Sequence, residues 1–447
     1  MIEELGDQGA ADEGVVPPLD LSRLIGPLLR EQAMAGAVAA IWQGGKAVAV
    51  EAAGYSDLAA RTPMRVDSIF QIASMTKPLT AVAALQMIEE GRLTLETPIA
   101  TWLPEFASPR VLRDPEGPID QCVEARRPIT VEDLMTHRSG ITYAFTSTGP
   151  IAEAYHLALG SPTDTWHSAG SWVAALAGLP LRHQPGERME YGHSFELLGF
   201  LLERIDGCRL SELLHRRITG PLGMKDTAFL VRPADSDRLA RIYAHSDGEM
   251  TDVTNPAFSL PRFQAGGGGL YSTVPDYLRF ALMLHRGGEL DGVRILRPDS
   301  ITTMRQDRLT PEQHRQPFLG TDRWASHGEG LGLMTILDPA AAPPLGIGAR
   351  GAYGWFGAFG TWWQTDPEYD LIAIYMIQDD ISLLPGSVAR RAGQRPSPAR
   401  AGLPLFQKAV YDLTTSRRSA AHTASPNRRT GHPQHTQPKP DKGLGAI

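Results

Sequence analysis

Ser74 and Lys77 lie three residues apart in FQIASMTKPLTAVAAL (70–85), where nearly every neighbour is apolar. A lysine in so apolar a segment demands a reason, because Lys is almost never fully buried without a partner. If a helix begins at this point, positions i and i+3 share one face, and the amine lies over the hydroxyl. The serine then sits near free backbone N–H groups and the positive end of the helix dipole. Desolvation by the apolar run lowers a lysine pKa from about 10.4 toward 7–8, where the amine works as a base. The chemistry on offer is nucleophilic: a serine activated by an adjacent lysine. The plainer alternative is a helix-capping serine with a lysine whose head reaches solvent. A bare S-x-x-K decides little, since a chain of 447 residues supplies one by chance.

The elements that would position this pair can be read outward from it. The segment 76–90 predicts a helix, with Pro78 tolerable in its first turn and Gly91 as its stop. Ahead of it, GAVAAIW (36–42) and KAVAVEAAGY (46–55), joined through QGG, predict two strands with a tight glycine turn. A helical pattern covers 19–31. From 91 to about 310 the patterns are mostly helical, with long proline- and glycine-rich loops and a helix near Pro275 following AGGGGLYST (265–273). Strands return with GWFGAFGTWWQTD (354–366) and LIAIYMIQD (371–379), which read as a hairpin around PEYD; LPLFQKAVYDL (403–413) reads as a last helix. Strands at both ends and helices between them predict an α/β (α+β) fold. An antiparallel sheet from residues 18–80 and 330–413 is flanked by helices, with a large, mostly helical domain (81–329) inserted. Residues 1–17 form an acidic extension. Residues 414–447, rich in Ser, Thr, Pro, Arg and His without an aromatic, predict a disordered basic tail, and 385–402 a mobile loop of similar kind.

Composition narrows the function. Net charge is −7, with 42% hydrophobic and 21% charged residues. That balance argues against nucleic acid as a partner. No run of about 18 apolar residues predicts a membrane span. The acidic N-terminus lacks the charge and apolar pattern of a signal peptide, so a cytoplasmic location with Cys122 and Cys208 as free thiols is expected. G-x-S-x-G, HExxH and CxxC are all absent, and the scattered histidines predict no metal site and no cofactor. The one G-x-G-x-x-G, GIGARG (346–351), follows AAPPL rather than a strand and precedes AYGWFG rather than a helix, which contradicts a dinucleotide site.

Companion motifs give the S-x-x-K its context. LMTHRSG (134–140) follows it; then Tyr191 appears in PGERMEYGHSFELLGFLLERIDG (185–207), ahead of a helix with Phe195, Leu198, Leu202 and Ile205 on one face. Tyr243-Ala-His-Ser repeats the letters of Tyr191-Gly-His-Ser but lacks that helix. Trp355-Phe356-Gly357 comes last. In this order the chain, over about 20–413, resembles the serine β-lactamase and penicillin-binding-protein superfamily, in the branch of class C β-lactamases and family VIII carboxylesterases. The resemblance implies a β-lactamase/transpeptidase-like fold. It makes Ser74 the nucleophile, with Lys77 and Tyr191 sharing the acid and base roles. The oxyanion would lie between the backbone N–H groups of Ser74 and Ala358. Trp355, Phe356, Gly357 and His193 would contact substrate. Two departures matter: His193 stands where the lactamases have Asn, and Trp355 where they have Lys. The implied activity is therefore carboxylesterase cleavage of short-chain acyl esters through an acyl-serine, with a small-molecule ester as the partner. Its rivals are acyl transfer to a small alcohol, an amidase, D-aminopeptidase or weak β-lactamase activity on the same scaffold, and an inactive ligand-binding homologue. The sequence leaves the oligomeric state open.

Overall fold

The computed structural model describes residues 19–160, 165–246, 249–342, 346–380 and 397–423, without the side chains of 246 and 416–423. The acidic extension and residues 424–447 of the tail lie outside the described residues.

Strand β1 (Gly36–Gln43) is central in an eight-stranded antiparallel sheet. On one side it pairs with β2 (Lys46–Asp57), and β2 with β3 (Thr62–Pro63). A two-residue strand, β4 (Phe70–Gln71), stands apart from the sheet and pairs with β5 (Tyr271–Ser272). The C-terminal strands β6 (His327–Glu329), β7 (Met334–Ile336), β8 (Tyr353–Phe356), β9 (Trp362–Asp366) and β10 (Leu371–Met376) complete the large sheet. β10 lies against β1, with Val38 opposite Met376 and Trp42 opposite Ile372. The sheet is thus closed by segments from opposite ends of the chain.

Both faces of β1 are covered, which explains a strand that is apolar throughout rather than alternating. Ala37, Ala39 and Ile41 pack with Ala373, Tyr375, Leu21, Ile25, Phe406 and Val410, under helices α1 (Leu21–Arg30) and α5 (Gly402–Thr423). Val38, Ala40 and Trp42 point the other way, into the main core with Ile372, Ile374 and Met376. Helix α2 (Thr76–Glu89) belongs to that core, and every residue from Thr76 to Leu85 is buried. A helix apolar on all sides is a core helix. Beside it runs α3 (Ser194–Asp206), ended by Gly207 in the left-handed conformation at φ 73°. Helix α4 (Val274–His285) follows β5.

Several expectations need correction. The stretch 354–366 is two strands, not one: the chain turns at 357–361, so 353–376 forms a three-stranded meander. Its continuous apolar lettering reflects burial on both faces and hides the turn. The last helix runs to Thr423 rather than ending at Leu413, so 414–423 are helical and not an unstructured tail. Of the expected loop 385–402, residues 385–396 lie outside the described residues, whereas Pro398–Ala401 forms a 3₁₀ turn. Asp379 holds that turn, accepting from Ser397 Oγ and Arg400 Nε at 2.7 Å each. The middle of the chain also contains short two-stranded ladders, such as Tyr243–Ser246 with Glu249–Asp252. Tyr243 is used there structurally, its hydroxyl accepting from Leu58 N at 2.8 Å.

Candidate active site

The chain reaches Ser74 through strain. β4 ends at Gln71, Ala73 takes a positive φ of 45°, and Ala73–Met75 forms one 3₁₀ turn before α2 begins at Thr76. A non-glycine residue at positive φ costs of order 1–2 kcal/mol and persists only where the surroundings enforce it. Here Ile72 N donates to Leu270 O at 3.0 Å, and Ile72 O accepts from Thr361 Oγ1 at 3.2 Å. Leu270 N in turn donates to Thr76 Oγ1 at 3.2 Å. Ser74 is not a helix cap, because its side chain makes no capping bond; its hydroxyl turns toward Lys77 and Tyr191.

Lys77 Nζ donates to Ser74 Oγ at 3.0 Å and to Gly267 O at 2.7 Å, while Tyr191 Oη donates to Ser74 Oγ at 2.7 Å. Lys77 is completely buried, and its Nζ lies 4.8 Å from the centre of the Tyr191 ring. The amine therefore gains two acceptors and an aromatic face in exchange for water. Tyr191 is held by its ring neighbours His137 (4.6 Å), Tyr143 (5.5 Å), Phe318 (5.6 Å) and Trp355 (6.4 Å). A hydroxyl accepting from both an amine and a phenol can release its own proton to either when that group is in its basic form.

The groups around Lys77 are tuned by burial. Burial, and then the nearby lysine, holds His137 well below the usual imidazole range and His193 at about 3, so both rings are neutral. Burial raises Glu196 against the pull of Lys77, and raises Tyr143 further because Glu196 is beside it. Tyr143 Oη donates to both Glu196 oxygens, at 3.0 and 3.1 Å. Burial and then Asp307 push Glu329 well above the ordinary carboxylate range.

The turn between β8 and β9 lies directly on the nucleophile segment. Gly357 N donates to Thr361 O at 2.7 Å, and Gly357 has no room for a side chain, since a Cβ would run into Ile72 O. Ala358, the next residue, is gripped through its carbonyl by Arg400 at 2.6 Å. Phe356 is half-buried beside the turn, whereas Trp355 is only 2% exposed, its ring stacked on Phe356 at 5.5 Å and its Nε1 without a hydrogen-bond partner among the described residues. His193 differs from the expectation of a substrate contact. It is buried between Tyr143 (4.4 Å) and Trp172 (5.3 Å), with Nδ1 3.8 Å from Glu196.

Ser74, Lys77, Tyr191 and the 357–358 turn thus converge, and His193 stands behind them. Sequence reasoning missed Gly267, Tyr143 and Glu196. The four consecutive glycines at 266–269 were the available signal. A Cβ at Gly266 would strike Phe195 O and one at Gly267 the Glu196 carboxylate, so this segment must be bare to lie against α3.

An antiparallel sheet closed from both chain ends, with a serine–lysine–tyrosine cluster beside the turn between two of its strands, is the arrangement of the β-lactamase and transpeptidase class. A model of the family described as "Beta-lactamase" matches residues 21–394. The chain is 45% identical over 385 residues to Protein Rv1367c of Mycobacterium tuberculosis, covering 85% of this chain and 94% of that one. It is 30% identical over 352 residues to the lovastatin esterase of Penicillium rubens, covering 71% and 81%. Among solved structures it resembles EstCE1, described as a hydrolase with promiscuous acyltransferase activity: TM-score 0.70, 22% identity, 86% of this chain and 97% of that one. This chain belongs to the beta-lactamase family. No helix among the described residues is long and apolar enough to cross a membrane.

Proposed function

We propose that this protein is a carboxylesterase of the family VIII type, cleaving short neutral acyl esters through an acyl-Ser74 intermediate. The observation that carries the proposal is the triangle at Ser74 Oγ, with Lys77 Nζ at 3.0 Å and Tyr191 Oη at 2.7 Å. In the first half-reaction Ser74 Oγ bonds to the ester carbonyl carbon, and its proton passes to the Lys77–Tyr191 pair. The carbonyl oxygen becomes an oxyanion that accepts from the N–H groups of Ser74 and Ala358. Collapse breaks the bond to the alcohol oxygen, which takes the proton from the pair and leaves. Water then repeats the sequence on the acyl-serine, giving the free acid and restoring Ser74. His193 and Tyr143 act as positioning residues behind Tyr191.

Trp355 supports the ester reading over a β-lactam one. A lysine at that position could pair with a substrate carboxylate, whereas an indole offers one weak donor and a large apolar face. A second reading is transfer of the acyl group to an added alcohol. The shared acyl-enzyme and the promiscuous acyltransferase named for EstCE1 favour it.

Intact-mass measurement after mixing with p-nitrophenyl acetate tests the proposal. Wild type should gain one acetyl group and Ser74→Ala none, with the Ser74→Ala protein folded, since Ser74 caps no helix and its hydroxyl bonds only Lys77 and Tyr191. An acetyl group located elsewhere, or hydrolysis surviving in Ser74→Ala, would defeat it.

A further inference from the structure

We infer that Arg400 is a positioning residue of the reaction, holding the 357–361 turn in the pose that presents the Ala358 N–H to the oxyanion. The inference rests on the proposed acyl-Ser74 chemistry and adds to it a residue outside the three motifs.

The turn does not hold itself. Glycine stands at two of its five positions, 357 and 360, and glycine has little backbone preference of its own. Inside the turn, Gly357 N donates to Thr361 O at 2.7 Å and Gly360 N to Gly357 O at 3.1 Å. Gly357 O and Ala358 N–H belong to one trans peptide, so they point in opposite directions. With the carbonyl turned inward, the N–H points out of the turn, and it meets no acceptor among the described residues. One side of the turn rests on the nucleophile segment, where Thr361 Oγ1 donates to Ile72 O. None of these bonds fixes the next peptide, 358–359. Rotation there passes back through Ala358 and redirects its N–H.

Arg400 removes that freedom. Its Nη2 donates to Ala358 O at 2.6 Å and to Asp379 O at 2.8 Å, while Nε donates to the Asp379 carboxylate at 2.7 Å. Asp379 N donates in turn to Phe359 O at 2.9 Å. The two carbonyls that follow the oxyanion donor are thus fixed from one side by one pair of residues. A guanidinium is a rigid planar fork, so the bond to Asp379 sets where the bond to Ala358 falls. A second contact tightens the fit: Gly360 takes a φ of 91°, and a Cβ there would lie 3.2 Å from Arg400 Nη1.

The anchor itself is firm. Asp379 is buried, accepts from Ser397 Oγ at 2.7 Å, and has the His245 ring 3.3 Å away. Burial would raise its carboxyl, but His245 and then Arg400 hold it below the usual carboxylate range, so it meets Arg400 ionised. An ion pair alone would need only the carboxylate. The guanidinium also divides one nitrogen between two backbone carbonyls, and one of these is the carbonyl of Ala358.

The test reads hydrolysis of p-nitrophenyl acetate by the full chain beside a melting curve. In Arg400→Ala, kcat should fall about ten- to a hundredfold with KM changed by less than about threefold, because a misplaced donor is missed chiefly in the transition state. About 20 mM guanidinium chloride, too dilute to denature, should restore kcat severalfold, and sodium chloride at the same concentration should not. The Arg400 side chain is 25% exposed, so the place it leaves is open to a small cation. Arg400→Ala also strips Asp379 of its charged partner, which makes lost stability a rival cause. The double variant Arg400→Ala/Asp379→Asn removes both charges, and should melt closer to wild type while its kcat stays low. A kcat within about twofold of wild type in either folded variant would overturn the inference, as would guanidinium that does no more than salt. Each of those results leaves the esterase reading intact while acetyl still labels Ser74. A wild type that acetate does not label would instead remove the esterase reading, and this inference with it.

Discussion

Gly357→Ala isolates the proposed oxyanion donor, the Ala358 N–H, from the rest of the site, because it touches none of Ser74, Lys77 or Tyr191. The added Cβ would lie 2.4 Å from Ile72 O and 2.1 Å from Thr361 Oγ1, where ordinary contact begins near 3.4 Å. The threonine side chain can turn away, giving up its bond to Ile72 O. The Ile72 carbonyl cannot, because Ile72 N is tied to Leu270 O and the strained Ala73 follows. The 357–361 turn must therefore retreat by roughly 1 Å, and the Ala358 N–H goes with it. Misplacement by about 1 Å costs on the order of a hundredfold in rate. Loss of one oxyanion donor costs about 10²–10³, or 2.7–4 kcal/mol. The neutral ground-state carbonyl gains little from that donor, so kcat should fall about a hundredfold with KM changed by less than about threefold. Overpacking should also lower stability by about 1–3 kcal/mol. Steady-state hydrolysis of p-nitrophenyl acetate, read beside a melting curve, separates the two effects. A variant that melted lower yet kept a third or more of the wild-type kcat would show that this turn does not hold the oxyanion.

Lys77→Met and Tyr191→Phe should each lower kcat by about 10²–10⁴, and the double variant should be little worse than either, since the pair moves one proton; fully additive losses would refute a shared path. His193 makes the fold acid-sensitive. Its pKa of about 3 lies below the ordinary 6.5, so between these values the unfolded chain binds a proton that the folded chain does not, and stability falls as pH drops. At pH 5 the penalty is about 2 kcal/mol. Urea unfolding of His193→Phe should show that much less loss between pH 7.5 and 5, and an unchanged loss would mean that the ring is not held neutral. Trp355→Lys should narrow the kcat/KM advantage of a short aryl ester over a penicillin, chiefly by weakening ester turnover; a ratio left untouched would argue that Trp355 is only a packing residue.

What could be read from the sequence follows the range of each interaction. The β1–β2 hairpin, α2 and the apolar face of α3 are local patterns, and their periodicity was visible in GAVAAIW, TAVAAL and the spacing of Phe195, Leu198, Leu202 and Ile205. The contact of Ser74 with Lys77 needs only one helical turn. Tyr191 is 117 residues from Ser74, and only the order of motifs pointed to it. Lys77 to Gly267, at 190 residues, and the Tyr143–Glu196 bond had no local signature, because a backbone carbonyl carries no letter and a buried Glu looks like any helical Glu. The turn at 357–361 was hidden by aromatic lettering on both sides, although Gly357 and Gly360 marked it. The extra turns of α5, TTSRRSAAHT, carry no large apolar residue, so nothing in the hydrophobic pattern announced them.

The pairing of β1 with β10 has a consequence for how the chain is made. Gln43 meets Leu371 across 328 residues, so β1 has one finished neighbour, β2, and one empty edge until nearly the whole chain has been synthesised. At about 5–20 residues per second the gap lasts on the order of 15–65 s. During that interval β1 presents an apolar edge with free N–H and C=O groups, the kind of template on which strands of other chains add. The strand that ends this exposure belongs to the same meander as the Gly357 turn. Catalytic competence and protection of the edge therefore arrive together: an interrupted chain would be inactive and prone to aggregate, and slow synthesis through the central helical segments would lengthen the hazard without altering the finished enzyme.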